Sequence, residues 1–107
     1  MVSSRDILWA RLPEPLGRRP VCVLTRDVAI PVLLRLTIAP ITTTVRGIST
    51  EVPVGRAEGL TRESVITCDN LLTVDKSLLE PTPVGHLSSR KRVQLNAALA
   101  FALEIRM

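Results

Sequence analysis

Gly17-Arg18-Arg19-Pro20-Val21-Cys22-Val23-Leu24-Thr25-Arg26-Asp27 is the stretch of sequence that decides the fold. Its centre, residues 20–25, is apolar and rich in β-branched side chains, and no charged residue interrupts it. An apolar run of this length with charged residues at both ends is typical of a strand that is buried on both faces. The sequence therefore predicts a buried strand at residues 20–25.

Shorter segments of the same kind lie on both sides of this strand. Ile7-Leu8-Trp9-Ala10 predicts an earlier strand, and the prolines and glycine of residues 12–17 predict a loop after it. Leu36-Thr37-Ile38-Ala39 predicts a third strand, which Pro40 is expected to end because proline has no N–H for the ladder. Further strands are predicted at residues 50–54 (an edge strand, because it contains Pro53), 64–69, 71–74 and 83–87, with a loop at residues 42–47.

The C-terminal segment has a different pattern. Residues 93–105 are rich in Ala and Leu, contain no Gly or Pro, and place Val93, Ala97 and Phe101 at helical spacing, while Ser88 or Ser89 can cap the helix start. Several short strands before one helix predict an α+β, mainly β fold. We expect a small curved antiparallel sheet or open barrel with a C-terminal helix against it, in a single domain over residues 1–107.

The charge balance is compatible with a polyanionic partner. The chain has 14 Lys and Arg against 10 Asp and Glu, a net charge of +4, and its pI is near 10.0. All but Lys76 and Lys91 of the basic residues are arginines, whose planar forks match phosphate oxygens two at a time. Trp9 and Phe101 are the only aromatic residues, which argues against a surface that stacks many bases on aromatic rings. We expect Trp9 to be a buried strand residue.

The two cysteines, Cys22 and Cys68, lie in apolar segments with no CxxC or His-rich partner motif. Buried free thiols in a reducing compartment are expected rather than a disulfide or a metal site. The N-terminal residues lack the apolar stretch of a signal peptide, and no run is long enough to span a membrane. A cytoplasmic protein is expected.

Signatures of cofactor and metal enzymes do not occur in the chain. It contains no GxGxxG, P-loop, HExxH, CxxC pair or GxSxG motif. A single histidine, His86, precludes a two-histidine ribonuclease site within one chain, and we expect a packing or surface role for it. Neither a cofactor nor a metal ion is expected.

Six short segments occur in a fixed order along nearly the whole chain, from residue 6 to residue 105. In this order and spacing they resemble the MazF/PemK family of toxin endoribonucleases, although none of them is specific by itself. The segments are Asp6-Ile7-Leu8-Trp9, the decisive stretch at residues 17–27, Ala39-Pro40-Ile41-Thr42, Gly59-Leu60 with Ser64-Val65-Ile66, Asp69-Asn70-Leu71-Leu72-Thr73-Val74-Asp75-Lys76, and Gly85-His86-Leu87-Ser88.

The resemblance implies a fold, an activity and partners. It implies the barrel-like sheet shared with the gyrase poison CcdB, a homodimer, metal-independent cleavage of single-stranded RNA at short sequences, and regulation by a cognate antitoxin. In this family the arginine of the second segment and the threonine of the third form the catalytic pair, which fall on Arg19 and Thr42. We expect the antitoxin's inhibitory segment to be acidic and partly disordered, because it must compete with RNA for arginines.

Physical chemistry supports this pair independently. RNA is cleaved without metal when its 2′-hydroxyl attacks the adjacent phosphorus, which leaves a 2′,3′-cyclic phosphate and a 5′-hydroxyl. Arg19 offers paired donors to the phosphate, and Thr42 can donate a third hydrogen bond. The base remains open between Asp69, Glu14 and Arg19 itself, although arginine is a poor base. Asp69 is alternatively an aspartate that caps a turn. Some members of the family use a carboxylate like Asp69 with a nearby basic residue, but Thr67 stands two positions before it here.

Other residues are expected to bind RNA or to alter its binding. Arg18, Thr43 and Arg46 lie beside the catalytic positions in sequence, and Asn70 follows Asp69, so we expect these four to contact RNA. Leu72 stands where many members of the family have a basic residue.

Arg90-Lys91-Arg92 puts three cations where the helix dipole favours acids. These cations are either a solvated turn or a grip on RNA or an acidic protein segment. Two alternative functions stay open: a protein-binding poison on the same fold, and a catalytically impaired member that binds only RNA or an antitoxin.

Overall fold

A computed structural model describes residues 2–106 of the chain. The helix and every predicted strand are present, which confirms the expected mainly β fold with a C-terminal helix. Short 3₁₀ turns lie at Arg56–Glu58 and Lys76–Leu78. The elements are β1 (Asp6–Arg11), β2 (Arg18–Val23), β3 (Arg35–Thr42), β4 (Glu51–Val54), β5 (Ser64–Thr67), β6 (Leu72–Asp75), β7 (Gly85–His86) and α1 (Ser89–Ala102).

All the strands pair antiparallel in one strongly curved sheet, in the order β4-β5-β3-β2-β1-β7. β6 also pairs with β3, so that β5 and β6 lie one after the other along the same edge of β3. Ile41 pairs with Ile66 whereas Ile38 pairs with Leu72, so a step of three residues on β3 corresponds to six on the opposite chain. The surplus residues loop out between β5 and β6.

The prediction that Pro40 ends the third strand is wrong, because β3 continues through it to Thr42. The Pro40 carbonyl accepts a hydrogen bond from the Thr67 hydroxyl at 2.8 Å, on the side where the opposite chain loops out. In a strand the N–H and C=O of one residue point to the same side, so the missing N–H of Pro40 costs no ladder hydrogen bond.

The two faces of the sheet are both buried, as the apolar run in β2 predicts. Cys22 packs in the cluster under α1, whereas Val21 and Val23 pack in a second cluster on the opposite face. α1 closes the first cluster with Leu95 and Ala98. The apolar residues Val93, Ala97 and Phe101, which the sequence places at helical spacing, are exposed on the other side of the helix.

Two glycines allow the backbone to pack tightly beside the sheet. A Cβ on Gly59, which has φ +90°, would lie 2.0 Å from the Val84 carbonyl oxygen, and a Cβ on Gly85 would lie 2.0 Å from the Glu58 carbonyl oxygen. No side chain fits at either position without moving backbone. The Gly-Leu and Gly-His segments of the sequence thus mark one backbone crossing.

The predictions for Ser88, His86 and the two cysteines are confirmed. Ser88 caps α1 by accepting a hydrogen bond from the Lys91 N–H, and His86 is exposed in β7. Cys22 and Cys68 are free and buried; burial raises the pKa of the Cys22 thiol to about 12 and that of the Cys68 thiol to about 11. No helix within residues 2–106 has the length and apolarity to cross a membrane.

Candidate functional site

The site lies where β2 and β3 part. Their pairing stops at Val21 and Pro40, although both strands continue, β2 back to Arg18 and β3 on to Thr42. Extending the register by two residues would place Arg19 opposite Thr42. The strands diverge instead and leave two adjoining cavities, of about 260 and 370 Å³. Arg19 and Thr42 line both cavities and therefore form the wall between them.

The seven site residues predicted from the sequence all line one cavity or the other. Arg46, Asp69 and Asn70 join Arg19 and Thr42 around the smaller cavity, which we call the first cavity. Arg18 and Thr43 join the same pair around the larger one, which we call the second cavity. The fold thus brings together residues that are up to 52 positions apart in the chain, from Arg18 to Asn70.

Arg19 is held by the loop that precedes it. Its Nε donates a hydrogen bond to the Leu16 carbonyl at 3.0 Å, and the side chain is half-buried. Within residues 2–106 the guanidinium makes no other hydrogen bond, so both terminal nitrogens are available to a ligand. A guanidinium fixed through Nε presents two parallel N–H donors, the arrangement that binds two oxygens of one phosphate.

Thr42 is oriented by a turn at the end of β3. Its Oγ1 accepts a hydrogen bond from the Thr44 N–H at 3.1 Å. Since the oxygen already accepts from the backbone, the hydroxyl proton remains free to be donated to an oxygen in either cavity. Thr42 therefore complements Arg19 as a neutral donor on the same wall.

Asp69 and Asn70 lie in the segment that loops out between β5 and β6. The Thr50 hydroxyl donates to Oδ2 of Asp69 at 2.6 Å, which fixes the carboxylate and leaves Oδ1 without a hydrogen bond among the described residues. Thr67 also lines the first cavity, and its hydroxyl donates a hydrogen bond to the Pro40 carbonyl. Asp69 thus lines the same cavity as Arg19, without a basic neighbour at position 67.

Glu51 is a second carboxylate of the first cavity, and no sequence motif indicated it. It begins β4 and pairs with Thr67, which brings it near Asp69. Its Oε1 accepts hydrogen bonds from the backbone N–H groups of Arg46 and Gly47, at 3.0 and 2.9 Å. Glu51 therefore holds the loop after β3 in place. Glu14, the other carboxylate considered as a base, lies outside both cavities among the residues described.

In the lining of the second cavity, Arg18 stacks on Trp9. The Arg18 guanidinium lies 4.3 Å from the centre of the Trp9 ring, and its Nε and Nη2 donate to the Glu80 carboxylate at 2.8 and 3.0 Å. The hydrogen bonds from Arg18 lower the pKa of the Glu80 carboxyl. The prediction that Trp9 is buried is wrong: it is half-buried, with one face of its ring covered by Arg18.

Two departures noted in the sequence lie away from both cavities. Leu72 pairs with Ile38 and packs against the second core cluster, where a basic side chain would not face Arg19. In the basic first turn of α1, the Lys91 ammonium donates to the Pro53 carbonyl, and Arg92 Nε donates to the Leu87 carbonyl at 3.2 Å. These two cations therefore bind backbone carbonyls of the protein.

No group of three or more His, Cys, Asp and Glu side chains within residues 2–106 is arranged to hold a metal ion. The groups available in the cavities include two carboxylates, seven Ser and Thr hydroxyls and four arginines. These groups can bind a phosphate, neutralise charge on it and accept a proton.

Comparison with known proteins identifies the family of the chain. Residues 3–103 match the family model of PemK-like, MazF-like toxins of type II toxin–antitoxin systems. The endoribonuclease MazF3 of Mycobacterium tuberculosis is 44% identical over 87 residues, 81% of this chain and 84% of that protein. The probable endoribonuclease MazF5 of the same species is 35% identical over 100 residues, 92% of this chain and 90% of that protein.

Solved structures agree with the fold. The M. tuberculosis toxin MazF-mt6 has a TM-score of 0.89 at 41% identity, covering 96% of this chain and 100% of that chain. An endoribonuclease in complex with its cognate antitoxin, from a mycobacterial species, has a TM-score of 0.85 over 100% of this chain and 99% of that one. Its identity is only 22%, so it supports the fold alone.

The curved sheet with its closing helix and the similarity to these proteins identify a toxin endoribonuclease. The chain belongs to the family of PemK-like, MazF-like toxins of type II toxin–antitoxin systems. The family resemblance drawn from the six sequence segments is thereby confirmed.

Proposed function

We propose that the chain cleaves single-stranded RNA without a metal ion, at a phosphate bound on the wall formed by Arg19 and Thr42. The observation that carries the proposal is that these two residues line both cavities. A phosphate on this wall has one nucleoside on the side of each cavity. This is the geometry that an endonuclease needs, because its substrate continues in both directions from the scissile bond.

The pair supplies the charge stabilisation that the reaction requires. As the 2′-oxygen bonds to phosphorus, negative charge builds on the two non-bridging oxygens. The free terminal nitrogens of Arg19 bind one or both of these oxygens, and the Thr42 hydroxyl donates to one. The bond from phosphorus to the 5′-oxygen then breaks, which leaves a 2′,3′-cyclic phosphate on one product.

Asp69 is the carboxylate best placed to take the 2′-hydroxyl proton. The Thr50 hydroxyl holds Oδ2, and Oδ1 remains to accept the proton. Glu51 is less suited because its Oε1 accepts hydrogen bonds from two backbone N–H groups, which tie this carboxylate to the loop after β3. The departing 5′-oxygen takes a proton from water, since Asp69 and Asn70 are exposed to solvent. Proton balance thus requires no group beyond the cavity and solvent.

The remaining predicted contacts divide between the cavities. Arg46 and Asn70 contact the RNA on the side of the first cavity, and Arg18 and Thr43 on the side of the second. The alternative of an impaired member loses its main support, because Leu72 packs against the second core cluster and lines neither cavity. A protein-binding poison would not need a guanidinium held with both terminal nitrogens free.

Two partners complete the proposal. The chain acts as a homodimer in the cytoplasm, since Val28, Val32 and Leu34 are each at least 75% exposed and its two thiols are free. A cognate antitoxin inhibits it with an acidic, partly disordered segment that competes with RNA for Arg19. Sedimentation equilibrium tests the dimer, and RNA protection by the co-expressed antitoxin tests the inhibition.

The deciding experiment maps the ends of the products. Purified protein is incubated with a long single-stranded RNA in EDTA, and we expect fragments with 5′-hydroxyl and 2′,3′-cyclic phosphate ends. Arg19→Ala and Thr42→Val should each lower the rate about 100- to 1000-fold. The matched controls are Arg35→Ala and Thr37→Val on the other half of β3, which should cleave at the wild-type rate. Fragments with 5′-phosphates, or undiminished cleavage by Arg19→Ala, would contradict the mechanism.

A further inference from the structure

The stack of Trp9, Arg18 and Glu80 at the second cavity has no part in the chemistry described so far. Trp9 pairs with Pro20 across β1 and β2, so Arg18, two residues before Pro20, is its diagonal neighbour on the same face of the sheet. The guanidinium lies 4.3 Å from the ring centre, within the range of a cation–π contact. The register of two strands therefore builds this stack.

The ion pair with Glu80 changes what Arg18 can bind. Two of its nitrogens already donate to one carboxylate, and the carboxylate offsets its charge. A guanidinium that is neutralised in this way is a weak ligand for a phosphate. The two hydrogen bonds also fix the plane of the group, and its side chain is still 53% exposed. Arg18 thus presents a flat, rigid and partly open surface.

A planar ligand fits this surface. Arginine planes and aromatic rings are the groups on which proteins stack unpaired RNA bases. The second cavity is the more apolar of the two in its lining, with Pro20, Ile41 and Leu60, and it holds the Thr43 hydroxyl and Arg62 for the polar edge of a base. It shares the wall of Arg19 and Thr42 with the first cavity. A base in it would belong to a nucleotide next to the scissile phosphate.

We propose that the second cavity binds one nucleobase beside the cleavage point, stacked on the open face of Arg18, which Trp9 supports from behind and Glu80 holds in plane. The inference rests on the proposed endoribonuclease function and adds a specificity-determining residue to it. Arg18 then acts on the base through its plane, whereas the simpler expectation from the sequence is a contact with phosphate. A lysine can replace Arg18 in a contact with phosphate, but it cannot replace its plane in stacking on a base.

The test is a cycle between protein and RNA. A short RNA with one mapped cleavage site is compared with versions that carry an abasic ribose at each position flanking the scissile phosphate. For the wild type, one of these versions should lower kcat/KM about 5- to 140-fold, the value of one stacked base. Arg18→Ala should lower kcat/KM on intact RNA by a similar factor, and the abasic change should then cost nothing more.

Two further variants separate the base from the phosphate. Arg18→Lys keeps the charge but loses the plane, so it should resemble Arg18→Ala. Arg11→Ala removes an exposed arginine of β1 that pairs with Arg18 in the sheet and lines neither cavity, and it should behave as the wild type. Independent effects of the abasic change and Arg18→Ala would overturn the inference. So would rescue by Arg18→Lys together with a shallower salt dependence of Arg18→Ala, since both indicate a phosphate contact.

A binding measurement keeps the inference testable apart from cleavage. Trp9 is the only tryptophan, so intrinsic fluorescence reports on the stack. The wild type is titrated with an RNA of the same sequence that has a single 2′-deoxyribose at the cleavage point, with and without the flanking base. Intact RNA should change the Trp9 emission and the abasic version should not. Equal changes would refute the base subsite, whereas failure of the wild type to cleave any RNA would refute the proposed function instead.

Discussion

The two halves of β3 have the same backbone conformation but different surroundings. The first half, up to Ile38, is flanked by β2 or the segment after it on one side and by β6 on the other. The second half, Ile41 and Thr42, is paired with β5 on one side, while the pairing with β2 on the other side has ended at Pro40. Packing stabilises the first half, and the predicted chemistry lies at the second.

The difference shows how a small sheet creates a site without a large insertion. In the first half, the Thr37 and Thr73 hydroxyls satisfy each other at 2.9 Å. In the second half, Thr42 ends the strand with a hydroxyl proton that no neighbour takes among the described residues. At this point the pairing of β3 with β2 stops on one side, and the chain between β5 and β6 loops out on the other. Polar side chains can therefore converge there without being buried.

Removal of the Asp69 carboxylate, beside the second half of β3, should have the largest effect on activity. Asp69→Asn keeps the shape and the Thr50 contact but cannot take the proton, so kcat should fall about 100- to 10,000-fold. Glu51→Gln is the matched control and should lower kcat much less, because the backbone occupies that carboxylate. Steady-state cleavage of a short RNA measures both. A larger loss in Glu51→Gln than in Asp69→Asn would exchange their roles.

Truncation of a core side chain in the first half of β3 should lower the stability of the protein and leave its activity unchanged. Ile38 is completely buried in the second core cluster, so Ile38→Ala should lower the free energy of unfolding by about 2–5 kcal/mol. Urea denaturation measures the loss, and the variant should retain its activity per folded molecule. A fall in activity of the folded fraction comparable to that of Arg19→Ala would show that the two halves are not separable.

The smallest expected effect concerns the ion pair of Arg18 and Glu80 beside the second half of β3. Arg18 lowers the pKa of Glu80, so the pairing is complete above the usual carboxyl value of 4.5 and is lost as the pH falls through the lower folded value. Carbon-detected NMR should find that Arg18→Ala raises the Glu80 midpoint. Both groups are exposed, so little change in overall stability is expected. An unchanged midpoint would indicate that the pair does not persist in solution.

The sequence predicts most of the strands because uninterrupted or alternating apolar runs determine which backbone segments are buried. The effect of Pro40 could not be predicted, because it depends on which side of β3 its missing N–H faces, and that depends on where the opposite chain loops out. The exposed apolar face of α1 has a similar cause, since only the packed structure selects Leu95 and Ala98.

The candidate site divides in the same way. Arg19, Thr42 and Asp69 were predicted because each lies in one of the six sequence segments that resemble the family. Glu51 carries no such signal and enters the first cavity only through its register with Thr67. The stacking of Arg18 on Trp9 is likewise a diagonal contact between strands, which requires the pairing of Trp9 with Pro20 to be known.

In the proposed reaction, the wall of Arg19 and Thr42 stabilises attack by the RNA's own 2′-hydroxyl. The most direct test replaces the single ribose on the 5′ side of the mapped cleavage point by 2′-deoxyribose and leaves every other ribose unchanged. We expect this oligonucleotide to bind the wild type as tightly as the all-ribose RNA and not to be cleaved at that point. Cleavage there at an undiminished rate would show that the nucleophile is not the 2′-hydroxyl.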